Sequence, residues 1–228
     1  MSGIEARERR VVVGVLVGAL GGALVLGREA MPWSVALAAA VLAWAAWGRF
    51  ERGRLGARVL RGLRAVWLQL PGAEPDGDDE RGPIRVHDGM QPLTIRLSRR
   101  GTVLGAVITT PAGALPVAFR VWPRDAPRPG LGDEGAGVGG PPVERAPFLE
   151  SRLGGMWRAE SSDEAMADGV LDADLTAALL VVAREAGGGF GGLTFDGQRL
   201  GIHLTGPVVT DPERATQLAR ALWQAALP

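Results

Sequence analysis

Two uncharged apolar runs near the N-terminus constrain the fold of this chain more than any other feature of its sequence. They span residues 11–27 and 30–48, and only Arg28 and Glu29 separate them. A helix of about 20 apolar residues crosses the hydrocarbon core of a bilayer, and helical backbone satisfies its own hydrogen bonds in lipid. The sequence therefore predicts a transmembrane hairpin over residues 1–49, with helices at about 11–27 and 30–48.

The flanking charges predict how this hairpin is oriented. Arginines precede the first run and follow the second, whereas the turn carries one Arg and one Glu. By the positive-inside rule, both termini then face the cytoplasm of a bacterial inner (cytoplasmic) membrane, which the chain crosses as a multi-pass protein. A cleaved signal peptide is the alternative, although the turn lacks a small-x-small cleavage site. The four-residue spacing of Gly14, Gly18 and Gly22 predicts a helix-packing face.

Residues 50–70 predict a juxtamembrane amphipathic helix. Its apolar positions recur at helical spacing and its arginines follow the opposite side. The bilayer is therefore a predicted partner, and we expect five arginines to contact its anionic headgroups: Arg49, Arg52, Arg54, Arg58 and Arg61. Alternatively, this helix packs on the domain that follows. Pro71 ends it, and residues 71–83 predict an acidic linker rich in Gly and Pro.

Composition excludes several kinds of chemistry. The chain has no Cys and no Lys, so it has no disulfide, no thiolate metal ligand, no P-loop lysine and no Schiff-base lysine. Residues 71–228 hold fifteen Arg against twenty-one acidic residues. This negative balance does not favour nucleic acid as a partner.

Residues 84–228 predict a soluble α+β domain. Short β-type runs at residues 84–87, 93–97, 102–110 and 114–122 indicate an antiparallel meander. Residues 123–147, rich in Gly and Pro, predict a disordered loop. A literal GxGxxG at Gly130, Gly132 and Gly135 lies in this loop, but the strand before it and the helix after it that a dinucleotide site requires are missing.

The last eighty or so residues carry the clearest local signals. Residues 154–160 predict a strand, and Ser162 and Asp163 predict the cap of a short helix over residues 164–167. Asp172 predicts the cap of a longer helix that Gly187 ends. An Asp-Gly pair at residues 196–197 predicts a hairpin. Finally, Thr210 and Glu213 match a capping box for the C-terminal helix.

The predicted fold is therefore α+β. A two-helix transmembrane hairpin is followed by an amphipathic helix and a small antiparallel-sheet domain with two or three packed helices.

Part of this domain resembles a known class of proteins. Residues 115–206 are similar to the C-terminal module of a loose class of uncharacterised bacterial membrane-anchored proteins, which place a Phe, a strand, a helix and a hairpin in this order. The residues that carry the resemblance are Phe148, Asp163, Ala165, Leu171 and Gly197. The chain departs from the class because it lacks the small-Gly-Asp segment before the Phe. Since that class has no established activity, the resemblance implies an architecture and no function.

The sequence predicts no enzyme, and no catalytic, cofactor-binding or metal-binding residue. His87 and His203 are the only histidines, and no HExxH motif is present. Ser161, Ser162 or Asp163 could be grouped with His203 as a triad. However, there is no GxSxG elbow, and the serines are explained more simply as part of a helix cap.

Two functional hypotheses follow. The first is a membrane-anchored, non-enzymatic interaction or scaffold protein that presents its α+β domain to a protein partner in the cytoplasm. The alternative is a membrane-tethered small-ligand sensor with a pocket between sheet and helices, covered by the loop at residues 123–147.

Overall fold

The N-terminal part of the described chain is one long helix, α1, which spans Met31–Trp67. This computed structural model describes residues 31–77, 82–87, 91–100, 102–130 and 142–226. The chain divides after Val59 into two units, and the second, Leu60–Pro228, contains the sheet. Helix α1 continues without interruption across residues 48–50, where one predicted helix ended and the next began.

The predicted transmembrane hairpin is not supported. In the described part of the chain, no helix is both long enough and apolar enough to cross a membrane. This finding contradicts the predicted fold class, the transmembrane classification and the multi-pass location in the inner membrane. The physical reason is that the second apolar run contains eight weakly apolar Ala among its nineteen residues, carries three tryptophans and continues into the arginines within one helix. The proposed first helix at residues 11–27, with Gly14, Gly18 and Gly22, lies outside the described residues.

In the described residues, nine antiparallel strands form one sheet in the order β1-β2-β3-β4-β9-β8-β5-β7-β6. The strands are β1 (Ala73–Pro75), β2 (Ile84–Val86), β3 (Leu93–Arg100), β4 (Val103–Pro111), β5 (Phe119–Pro123), β6 (Glu144–Arg145), β7 (Trp157–Ser161), β8 (Phe190–Phe195) and β9 (Arg199–Thr205). The helices after α1 are α2 (Pro147–Arg152), α3 (Glu164–Val170), α4 (Ala173–Ala186) and α5 (Pro212–Ala226), and short 3₁₀ turns span Gly187–Gly189 and Gly206–Thr210.

The core lies on one face of this sheet. One transverse row of paired residues consists entirely of fully buried apolar side chains: Ile84, Ile95, Ile108, Ile202, Leu193, Val121 and Ala159. Helices α4 and α5 bury Leu175, Leu179 and Leu222 in the same cluster. The C-terminal turn of α1 also belongs to this core, because Trp67 is fully buried and its Nε1 donates to the Val209 carbonyl at 2.9 Å.

Several local signals in the sequence are confirmed. Asp163 accepts from the Met166 N–H to cap α3, and Asp172 accepts from the Leu175 N–H to cap α4. The hairpin of β8 and β9 turns at Gly197, whose positive φ of 96° suits glycine.

The predicted capping box is wrong. Asp211, and not Thr210, accepts from the Arg214 N–H, whereas the Thr210 hydroxyl donates to the Pro207 carbonyl.

The predicted meander is confirmed only for β2 to β4, and β1 lies in the segment predicted as a linker. After β4 the order changes, since β4 pairs with β9 and β5 lies between β8 and β7.

Candidate functional site

The face of the sheet opposite the core carries a transverse row of polar residues. Adjacent rows of an antiparallel sheet point to opposite faces, and the row next to the apolar row described above contains no aliphatic side chain. From β3 to β7 it consists of Thr94, Thr109, Gly201, Thr194, Arg120 and Glu160. We call these residues the polar row. The second face of the sheet therefore presents hydroxyl and arginine groups, whereas the core face presents apolar side chains.

Arg120 and Glu160 form the buried ion pair of the polar row. The Arg120 side chain is 3% exposed, and its Nε and Nη2 lie 2.7 and 2.6 Å from Glu160 Oε2. Nη1 of Arg120 donates to the Pro129 carbonyl at 3.0 Å. A buried guanidinium requires such partners, because an unpaired buried charge is strongly destabilising. This ion pair therefore links β5 to β7 on the second face of the sheet.

The segment after β5 lies on this second face. Arg128 Nη2 contacts Glu160 Oε2 at 2.5 Å, so two arginines share one carboxylate oxygen. Pro129 is buried, and its Cγ would lie 3.2 Å from a Cβ placed on Gly192. Glycine at position 192 therefore allows the segment to approach the sheet closely.

The contacts of Arg128 and Pro129 therefore anchor the described beginning of the loop predicted for residues 123–147. Residues 131–141 lie outside the described residues.

His203 lies on the same face of the sheet as the polar row. Its Nε2 lies 3.1 Å from the Thr194 hydroxyl. The Ser161 hydroxyl instead donates to backbone carbonyls, those of Ala118 and Asp163, and Asp163 caps α3. Ser161 and His203 point to opposite faces of the sheet, because Ser161 is two residues from core-facing Ala159 and His203 is next to core-facing Ile202. The helix cap that the sequence favoured over a triad is confirmed at Asp163.

One edge of the sheet is uncovered in the described part of the chain, along residues 96–100 of β3. Strand β2 pairs only with Leu93, Thr94 and Ile95. Residues 96–100 pair with β4 on their inner side, and no strand in the described part of the chain pairs with them on the other side. We call residues 96–100 the outer edge of β3. Arg96 and Ser98 are exposed there, and Arg99 is half-buried.

The opposite end of the sheet is closed by a different charge cluster. The Glu150 carboxylate accepts from Arg145 at 2.6 and 3.1 Å and from the Ala159 N–H at 3.4 Å. The hydrogen bond from Arg145 lowers the pKa of Glu150 below its ordinary value, against the opposing effect of burial. In turn, Glu150 raises the pKa of Arg145. This cluster joins α2 to β6 and β7 and indicates a structural role.

The arginines predicted to contact lipid all lie on α1. Arg54 is 3.8 Å from Glu51, and Arg58 and Arg61 are exposed. The structure does not describe the side chains of Arg49 and Arg52. Contact of these five residues with anionic headgroups stays a prediction from sequence, as does a packing role for the glycines at positions 14, 18 and 22.

The described residues contain no group of three or more His, Asp or Glu that could hold a metal ion. A surface groove of about 590 Å³ lies at the junction of α4 and α5. Its lining residues are Glu185, Asp211, Glu213, Arg214, Gln217, Leu218 and Ala221. This groove is outside the layer between sheet and helices where the sequence hypothesis placed a ligand pocket.

Sequence reasoning missed the polar row and the outer edge of β3. One signal for the first was available, because Arg120 is the only charge in an otherwise apolar strand, and a charge in that position is seldom buried without a partner. A signal for the second was the pattern LTIRLSRR, which places arginines only from the fourth residue of β3 onward. Which half would lack a neighbouring strand could not be deduced from that pattern.

Comparisons with known proteins show one distant similarity. No protein-family model and no curated protein matches the chain. Among solved structures, the chain is similar to the crystal structure of the mycobacterial trehalose monomycolate transport factor A, TtfA. The identity is 13%, the alignment covers 75% of this chain and 97% of that chain, and the TM-score is 0.46. A similarity of this extent supports no inference about function.

Proposed function

We propose that this protein is a non-enzymatic interaction module whose partner adds a strand along the outer edge of β3. The observation that carries the proposal is that β2 covers only the first part of β3 and leaves residues 96–100 without a neighbour among the described strands.

The physical basis is the hydrogen-bonding capacity of an open strand edge. On an antiparallel strand, every second residue points both its N–H and its C=O toward the open side, and an extended peptide that pairs with these groups gains main-chain hydrogen bonds. The other side of residues 96–100 is held in register by β4 through five consecutive pairs, which end at Arg100 and Val103. The edge is therefore a pre-formed template, and pairing with it requires ordering of the partner alone.

The other strand edges offer less to a partner. The terminal strands β1 and β6 contain only three and two residues, and short edge strands are a common protection against unwanted pairing. Next to β6, the Ala146 N–H already donates to the Ala159 carbonyl at 2.9 Å. Of the described edges, the outer edge of β3 is thus the longest one that remains open.

Site-specific photo-crosslinking in the producing cell tests this proposal. A photoreactive amino acid replaces Ser98, which is exposed at the outer edge of β3, or in a control Arg184, which is exposed on α4. We expect one discrete adduct from position 98 and none of that size from position 184. Equal adducts from both positions, or no adduct from position 98, would contradict strand addition at this edge.

The groove between α4 and α5 favours a second candidate, which is binding of a small ligand. Its volume of about 590 Å³ lies within the range of about 300–1,000 Å³ that is typical of ligand sites. Thermal-shift measurements with a metabolite library test this candidate. A ligand that stabilises the wild-type protein but not a Gln217→Trp variant, in which the groove is filled, would support it, and a screen without any such ligand would contradict it.

A further inference from the structure

We infer that the strand which the outer edge of β3 accepts is an acidic extended segment of a protein partner. This inference rests on the proposed function, because it specifies the chemistry of the added strand.

The charge at this edge differs from that of the domain around it. Residues 71–228 carry more acidic residues than arginines. In contrast, the hairpin of β3 and β4 contains three arginines and no acidic residue, and all three arginines fall within residues 96–100. A segment that pairs with this edge therefore meets a concentrated positive charge on an otherwise acidic body.

Pairing geometry brings the charges of such a segment within reach. Residues directly opposite each other on antiparallel strands have Cβ atoms about 4.5–5.5 Å apart, which allows a Glu or Asp to contact a guanidinium on the facing position. Because side chains alternate along a strand, Arg96 and Arg99 point to opposite faces of the sheet. A segment with carboxylates on both of its faces brings a carboxylate within reach of each arginine, so the edge favours a generally acidic segment and not one with a single charged face.

The same charges disfavour a second copy of this chain as the occupant. If two copies paired along their outer edges, arginines of one β3 would face arginines of the other, and like charges on facing positions are destabilising. Arginine on an exposed edge is also a known protection against self-association. The arginines thus disfavour pairing with a second copy of this chain, and they remain complementary to an acidic strand.

A defined peptide provides the test. The probe is an end-blocked peptide of roughly ten residues that mixes Thr, Val and Glu. One control peptide carries Gln in place of each Glu, and a second keeps Glu but is N-methylated at alternate residues. Binding to the full chain is measured by fluorescence anisotropy at low and high salt, and backbone amide exchange of residues 96–100 is followed in parallel.

We expect the Glu peptide to bind and to slow exchange of alternate amides in residues 96–100. The Arg96→Gln, Arg99→Gln double variant should weaken binding on the order of tenfold, since cross-strand ion pairs each contribute a few-fold. The matched control Arg184→Gln, on the exposed surface of α4, should leave the affinity unchanged. High salt should weaken binding of the Glu peptide because exposed charges are screened.

The outcomes separate the two proposals. If the Gln and Glu peptides bind equally and both protect residues 96–100, strand addition is supported and the inference of an acidic segment is overturned. If the N-methylated peptide binds as well as its parent and no amide is protected, attraction is by charge alone and strand addition itself is contradicted. If the Glu peptide does not bind, the acidic segment is overturned, and the crosslinking experiment at position 98 decides on the proposed function.

Discussion

Trp67 provides the sharpest test of whether the end of α1 belongs to the folded core. Its side chain is fully buried, and its Nε1 donates 2.9 Å to the carbonyl of Val209, which is also fully buried. The Trp67→Phe variant removes this donor and leaves a buried carbonyl without it, which costs about 1–3 kcal/mol. The smaller ring also leaves unfilled volume, which costs about another 1 kcal/mol. We therefore expect the free energy of unfolding to fall by roughly 2–4 kcal/mol.

Urea unfolding followed by far-UV circular dichroism measures this loss. For a domain of this size, the expected change corresponds to a decrease in Tm of roughly 5–15 °C. The matched control is Trp47→Phe, because the Trp47 side chain is 63% exposed, and we expect its free energy of unfolding to stay within about 0.5 kcal/mol of wild type. If the two variants lose the same stability, the C-terminal turn of α1 is not part of the core and the reasoning is wrong.

Three further predictions concern single side chains. Gly201→Ala places a Cβ 2.8 Å from the Thr194 hydroxyl and should cost about 1–3 kcal/mol in urea unfolding, whereas Gly169→Ala on α3, with no atom within 4 Å, should stabilise by up to about 1 kcal/mol. Glu150 has a lowered pKa in the folded state, so its stabilising contribution is present above the ordinary carboxyl pKa and lost as the pH falls through the lowered one. Glu150→Gln should therefore be less stable than wild type at neutral pH, and a difference that does not shrink in acid would contradict this role. Asp172→Ala removes the cap of α4 and should cost about 1 kcal/mol by thermal unfolding, and a loss below about 0.3 kcal/mol would contradict the capping geometry.

Local signals in the sequence predicted much of the second unit. The caps at Asp163 and Asp172 and the turn at Gly197 depend on hydrogen bonds and backbone angles within a few residues, so the sequence alone specifies them. The order of the strands depends on pairs distant in sequence, such as Ile108 with Ile202. A short apolar run pairs equally well with many others, and hydrophobic pattern therefore could not place β9 beside β4.

The misinterpretation of α1 has a different physical cause. An uncharged run of sufficient length was taken as a membrane span, although length is only one of two requirements and alanine contributes little to the apolar character of a helix. The amphipathic pattern beyond it was sound, but it allowed two surfaces as partners, lipid or protein. Because Leu63 and Trp67 are buried in the core of the sheet domain, that part of the helix packs against protein.

The polar row and the outer edge of β3 show why a surface is harder to predict than a core. Burial of apolar side chains constrains Ile95, Ile108 and Ile202 to one face, and strand alternation then forces their neighbours to the other. Whether those neighbouring residues border an open or a closed edge depends on which strand lies beside them. Strand β2 pairs with only the first three residues of β3. If β2 continued along β3, residues 96–100 would have a strand on both sides, and their arginines would not mark a strand-binding edge. The length of one neighbouring strand, and not the identity of the arginines, therefore decides that residues 96–100 have no neighbour among the described strands on this side.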